Sequence, residues 1–151
     1  MGTRRTRAEK YPDTAVFTYH NENPKNRITG DCTFRAIARA IGKSWAEVVR
    51  EMAELSIKTG WAINDKKGIA KYMESIGWVK MAQPRKADNS KYTGAEFCRA
   101  NPNITCVASI GGHHITAIVD GKINDIWNCS GKCIGNYWIK LEDFIEEFKE
   151  G

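Results

Sequence analysis

The chain reads as an α+β protein in which helices come first and an antiparallel sheet follows. Three observations predict this order. Apolar residues recur at helical spacing between residues 32 and 76, and strand-like apolar runs dominate after residue 104. Between two of those runs, Asp120-Gly121 has the composition of a tight hairpin turn.

Taken in order, residues 1–12 read as a basic disordered tail, because Arg4, Arg5, Arg7 and Lys10 stand against Glu9 alone. Residues 13–151 read as one domain, with 11–25 as an extended or looped lead-in. A first helix is expected over 32–41, with Asp31 as N-cap, Gly42 as stop and Phe34, Ile37, Ala38 and Ile41 on its packed face. Ser44-Trp45-Ala46-Glu47 is a capping box opening a second helix to about residue 58, with Trp45, Val48, Val49, Met52 and Leu55 as its buried stripe. A third helix over 65–76 carries Ile69, Tyr72, Met73 and Ile76 on one face. A short strand over 78–81 and a polar linker over 83–91 follow. Thr93-Gly94-Ala95-Glu96 caps a fourth helix that Asn101-Pro102 ends. Strands are expected over 104–110, 113–119, 122–127 and 137–141, and an amphipathic helix over 142–149 closes the chain. The order predicts two lobes, with Cys32 on one and His114 on the other, facing across a cleft.

Bulk properties narrow the function classes. At 151 residues and 42% hydrophobic, the chain is long enough for a sizeable core. It has no run of 18 apolar residues and no apolar signal-peptide core, which predicts a cytoplasmic protein with no membrane association. Five cysteines, an odd number, fit free thiols. The net charge of +5 is concentrated in the tail, where no aromatic residue interleaves the charges, so nucleic-acid binding is not expected. Met1–Thr6 loosely fits the myristoylation pattern at Gly2, a signal that operates only in a eukaryotic cytosol.

The chemistry concentrates on Cys32. A cysteine in the first turn of a helix feels the helix dipole and its free N–H groups, which favour the nucleophilic thiolate. His113 and His114 are strand neighbours and point to opposite faces, so only one can serve as a base to that thiol. If Asp120-Gly121 is a two-residue type I′ turn, His114, Thr116, Asp125 and Trp127 share a face. A bulged turn would bring Asn128 there in place of Asp125. Asn26, six residues before Cys32, offers an amide donor for an oxyanion. Cys98 and Cys106 read as core. Cys129 and Cys133 would need two further ligands to hold zinc, and no Cys/His pair supplies them. No metal or cofactor is therefore expected.

Asn26…Gly30-Asp31-Cys32, Gly112-His113-His114 and Asp125-Ile126-Trp127 together resemble the papain-like cysteine peptidase superfamily. The likeness is to small bacterial and phage-encoded members such as the bacteriocin-processing peptidase domains, and it covers about residues 26–140. The resemblance implies a papain-like fold in which a nucleophile helix packs on a C-terminal antiparallel sheet. It also implies a cysteine hydrolase of peptide or amide bonds, with a peptide or protein substrate and a thioester intermediate. In it Cys32 is the nucleophile, His114 the base, Asp125 the orienting residue with Asn128 as rival, and Asn26 an oxyanion donor in the place of the family glutamine. Two alternatives stand beside it: an acyltransferase or deamidase on the same fold, and a non-enzymatic phage-type protein acting on a host partner.

Overall fold

The computed structural model describes residues 4–150. Its elements in chain order are α1 (Arg7–Lys10), β1 (Phe17–Tyr19), α2 (Cys32–Ile41), α3 (Trp45–Thr59), α4 (Lys66–Ser75), β2 (Trp78–Met81), α5 (Gly94–Ala100), β3 (Cys106–Ile110), β4 (His114–Val119), β5 (Lys122–Asp125), β6 (Ile134–Lys140) and α6 (Leu141–Glu150). The protein is mixed α+β. Its six strands form one sheet in the order β1-β5-β4-β3-β6-β2, antiparallel except for the β1–β5 pair.

Local chemistry sets most helix limits. Ser44 accepts from the Glu47 N–H while the Glu47 carboxylate returns to the Ser44 N–H, and Thr93 and Glu96 repeat the device at α5. Gly42 and Gly60 end α2 and α3 in the left-handed conformation. On α3 only Val48 and Met52 of the expected stripe are fully buried, with Leu55 at the margin.

The two lobes expected from the order of elements give way to three layers. Ile37, Val48, Met52, Tyr72 and Met73 of the α2–α4 layer pack on Val107, Ala117 and Trp138 of one sheet face. Phe17, Phe97 and Cys98 pack with Ala108, Ile110, Ile118 and Ile123, the alternate residues of those strands, on the other. The physical cause is that the helical half donates both edge strands, β1 and β2. The sheet is thereby widened and covered on both faces, and α2 lies on β4 instead of across from it.

β1 falls inside the expected lead-in. Within the residues expected as a tail, Arg7–Lys10 form α1. Thr6 and Glu9 form a capping box, the Arg7 Nε–H donates to the Ile126 carbonyl, and Tyr11 packs on the second core cluster. Four residues make a weak helix alone. This one is held by a long-range bond at residue 126. The Gly2 pattern lies outside the described residues.

The β4–β5 hairpin decides the geometry of everything that follows. Asp120 and Gly121 both take positive φ, 47° and 72°, as a type I′ turn requires. A Cβ at position 121 would also lie 2.4 Å from the Pro102 carbonyl oxygen. The two-residue turn sets Val119 against Lys122, Ile118 against Ile123 and Ala117 against Asn124. The next pair along is Thr116 and Asp125, so His114, Thr116 and Asp125 share one face. Among the described residues, no helix is long and apolar enough to cross a membrane.

Candidate active site

Asp125 is the hub of a buried polar cluster at the end of β5. Its Oδ2 accepts from Thr116 Oγ1 at 2.7 Å and lies 2.6 Å from His114 Nε2, while its Oδ1 accepts from Arg35 Nη1 at 3.0 Å and from the Ile126 N–H at 2.7 Å. Burial alone would raise the Asp125 pKa. The bonds and charge of His114, with the Thr116 and Ile126 donors, more than offset it and hold the carboxyl below its ordinary range. An ionised carboxylate can only accept, so His114 Nε2 carries the proton between them. The Trp127 indole nitrogen lies 3.1 Å from that same Nε2, its ring packed edge-on against the imidazole. Nε2 can serve one partner at a time, and the charged acceptor wins. The indole then acts as a wall that limits water at the His114–Asp125 bond.

With Nε2 committed to Asp125, the nitrogen left to meet Cys32 is Nδ1. Cys32 is half-buried at the first position of α2, where the His114 imidazole acts on its thiol. Burial opposes ionisation of the thiol. The His114 bond, the Ile115 backbone N–H and the charges of His114 and Arg35 outweigh it, so the Cys32 pKa lies below its ordinary value. On the imidazole, burial again opposes charge. The bonds to Asp125 and Cys32 prevail and raise the His114 pKa to about 9. The two shifts point the same way, toward a thiolate–imidazolium pair.

Arg35 is the residue that inspection of the sequence missed. It sits on α2 one turn after Cys32, 7% exposed, and ties two carboxylates together through Asp31 Oδ1 at 2.7 Å and Asp125 Oδ1 at 3.0 Å. Asp31 Oδ2 in turn accepts from Asn23 Nδ2 and Trp45 Nε1, each at 3.0 Å. Asp31 therefore occupies the N-cap position but makes no side-chain capping bond. Its carboxylate is turned inward, and the first-turn N–H groups of α2 stay uncapped beside the thiol. Asp31 and Arg35 sit at i, i+4 spacing on one helix, a signal visible in the sequence. Without a tertiary partner such a pair reads as a surface salt bridge.

The remaining candidates separate clearly. Asn26 is exposed at φ 54°, with Oδ1 accepting from Asn21 Nδ2 at 3.3 Å, and it does not line the cleft at Cys32. The structure thus places it as a turn residue, a role the left-handed tolerance of asparagine explains. Asn128 Oδ1 accepts from the Ser130 N–H at 3.1 Å in a loop turn, and the unbulged register leaves the His114 partner position to Asp125. His113 is exposed in the β3–β4 turn at the cleft rim.

One cluster among the described residues has the composition of a metal site: donor atoms of His114, Asp125 and Cys129 lie within 4.8 Å of one another. Its chemistry argues against a cation. Asp125 already faces the Arg35 guanidinium, and burial beside that carboxylate pushes the Cys129 thiol up to about 12. Cys129 is buried and Cys133 exposed, and neither belongs with the other to any such cluster among the described residues. The chain matches no protein-family model, no curated protein and no solved structure.

Proposed function

We propose that the protein is a cysteine hydrolase that cleaves peptide or amide bonds through Cys32, His114 and Asp125. The observation that carries the reading is the His114–Asp125 bond with Cys32 in the same cleft as the imidazole, the Cys32 pKa lowered and the His114 pKa raised. The resemblance of the motifs to papain-like peptidases supports the same chemistry. In the acylation step the Cys32 sulfur attacks the carbonyl carbon, and a C–S bond forms. The charge on the oxygen is met by N–H groups of the uncapped first turn of α2. The intermediate collapses, the C–N bond breaks, and the amine leaves with the proton held by His114. In deacylation His114 takes a proton from water, hydroxide adds to the thioester, and the acid and the Cys32 thiol are released. Asp125 fixes the ring orientation throughout.

The test is to offer a mixture of short peptides with and without excess free amine. Mass spectrometry should find an acyl adduct on Cys32 and shortened acids as products, both absent in Cys32→Ala. Amide products that appear only with added amine would assign an acyltransferase on the same residues. A Cys32 that forms no adduct and alkylates no faster than the exposed Cys133 would remove the enzyme reading altogether.

A further inference from the structure

The cleft beside Cys32 has a charge pattern that the triad does not need. Its volume is about 370 Å³, and among the described residues no aspartate or glutamate lines it. Its floor is apolar, made by Ile69 of α4 with Val107 and Trp138, which are cross-strand partners on β3 and β6. Lys66, Lys80 and His113 also line it. Lys80 is itself the cross-strand partner of Trp138 on β2, so the sheet carries one row from Val107 through Trp138 to a cation at its edge. Lys66 is the first residue of α4. Among the described residues neither lysine makes an ion pair, whereas Lys43 and Lys86 on other surfaces are each paired with a glutamate. The closest acid in sequence, Asp65, caps α4 through the Lys67 N–H and does not line the cleft.

Two unpaired lysines over an apolar trough make a field that draws in a negative group and holds its apolar neighbour. Resting on the hydrolase reading, we infer that the substrate is an acidic peptide whose carboxylate is held by Lys66 and Lys80 while an adjacent apolar group lies on Trp138 and Val107. The carboxylate can belong to an aspartate or glutamate side chain or to a peptide C-terminus.

Three alkylating probes with the same reactive group separate these possibilities. Iodoacetyl-leucine amide is neutral, iodoacetyl-leucine has a free C-terminal carboxylate, and iodoacetyl-glutamic acid α-amide has only a side-chain carboxylate. The rate of Cys32 labelling is read by peptide mass mapping at low ionic strength. At least one acidic probe should react about three- to tenfold faster than the neutral one, at or just below the lower end of the range for electrostatic steering. The faster acid names the source of the carboxylate. In Lys66→Glu/Lys80→Glu that ratio should fall below one. In Lys58→Glu/Lys71→Glu, which makes the same change of net charge away from the cleft, it should stay near the wild-type value. A ratio within each variant cancels any change in the thiol itself. Equal rates for all three probes at a fast Cys32, or the same fall in both double variants, would overturn the lysine cradle and leave the hydrolase reading intact. A Cys32 as slow as Cys133 with every probe would instead overturn the hydrolase.

Discussion

Two thiols lie near the His114–Asp125 pair, and the protein shifts their pKa values in opposite directions. Cys32 meets the imidazole, the Ile115 N–H and the Arg35 charge, and its pKa is lowered against the effect of burial. Cys129 Sγ lies 3.9 Å from Asp125 Oδ2, and burial with that negative neighbour pushes it up to about 12. The two differ by which end of one polarised chain they touch. A thiol at the cationic end is favoured as thiolate, and a thiol at the anionic end is kept protonated as a weak donor. Proximity to the imidazole and carboxylate is therefore not enough. The sign of the nearest group decides.

The largest break in this contrast comes from the proposed triad. Cys32→Ala and His114→Ala should each lower turnover roughly 10⁴-fold or more, since members of such a unit fail together. Cys129→Ala should keep turnover within about tenfold, because its thiol only donates to a carboxylate that has four better partners. Steady-state kinetics on one purified set of variants checks the ordering. A dead Cys129→Ala with an active Cys32→Ala would invert the assignment.

Arg35→Met keeps most of the side-chain volume but strands Asp31 and Asp125 as buried carboxylates. Breaking a buried pair from one side costs about 3–5 kcal/mol, and chemical denaturation should find a loss of that order. The same variant should slow Cys32 alkylation, since the thiol loses one of its stabilising charges. Full stability with unchanged alkylation would mean that Arg35 neither braces Asp125 nor acts on Cys32.

The pH profile sharpens the comparison further. His114 is raised from 6.5 to about 9, so the stability its protonated form contributes is fully present below 6.5 and is lost as pH rises through about 9. Cys32 is lowered from 9.0, so its thiolate stabilises above that value and loses the contribution as pH falls through the lowered one. Turnover should plateau between the two folded-state values, with an alkaline limb near pH 9 as the imidazolium loses its proton. A Cys32 alkylation rate that rises only above pH 9, like an ordinary thiol, would contradict the ion pair.

The smallest effects belong to residues that the structure sets aside. Asn128→Ala and His113→Ala should change turnover by less than about threefold, because neither touches the polar chain from Asn23 to Cys32. Asn26→Ala should cost about 1 kcal/mol or less of stability, from its positive-φ turn, with turnover of the folded protein unchanged. A combined melting curve and kinetic assay checks all three. A 10²-fold loss in Asn26→Ala would restore it as an oxyanion donor.

By itself the sequence determined the features that neighbouring residues control. Ser44 with Glu47 and Thr93 with Glu96 start helices where expected, Gly42 and Gly60 stop them, and Asp120-Gly121 sets the hairpin register that aligns His114, Thr116 and Asp125. Each is a matter of a few residues and a fixed period, so local sterics suffice. Tertiary structure alone decided that Arg35 is buried, because its partner Asp125 is 90 residues away and is met only when α2 lies on β4. It also decided that Asp31 turns from the helix end to the core, that α1 docks at Ile126, and that Phe17–Tyr19 adds a parallel strand at the sheet edge. Asn26 shows the same limit from the other side. Its six-residue offset from Cys32 is legible, but the turn at φ 54° that takes it out of the cleft is not. Spacing fixes how far apart two side chains are along the chain, whereas burial and long-range pairing fix what each of them faces.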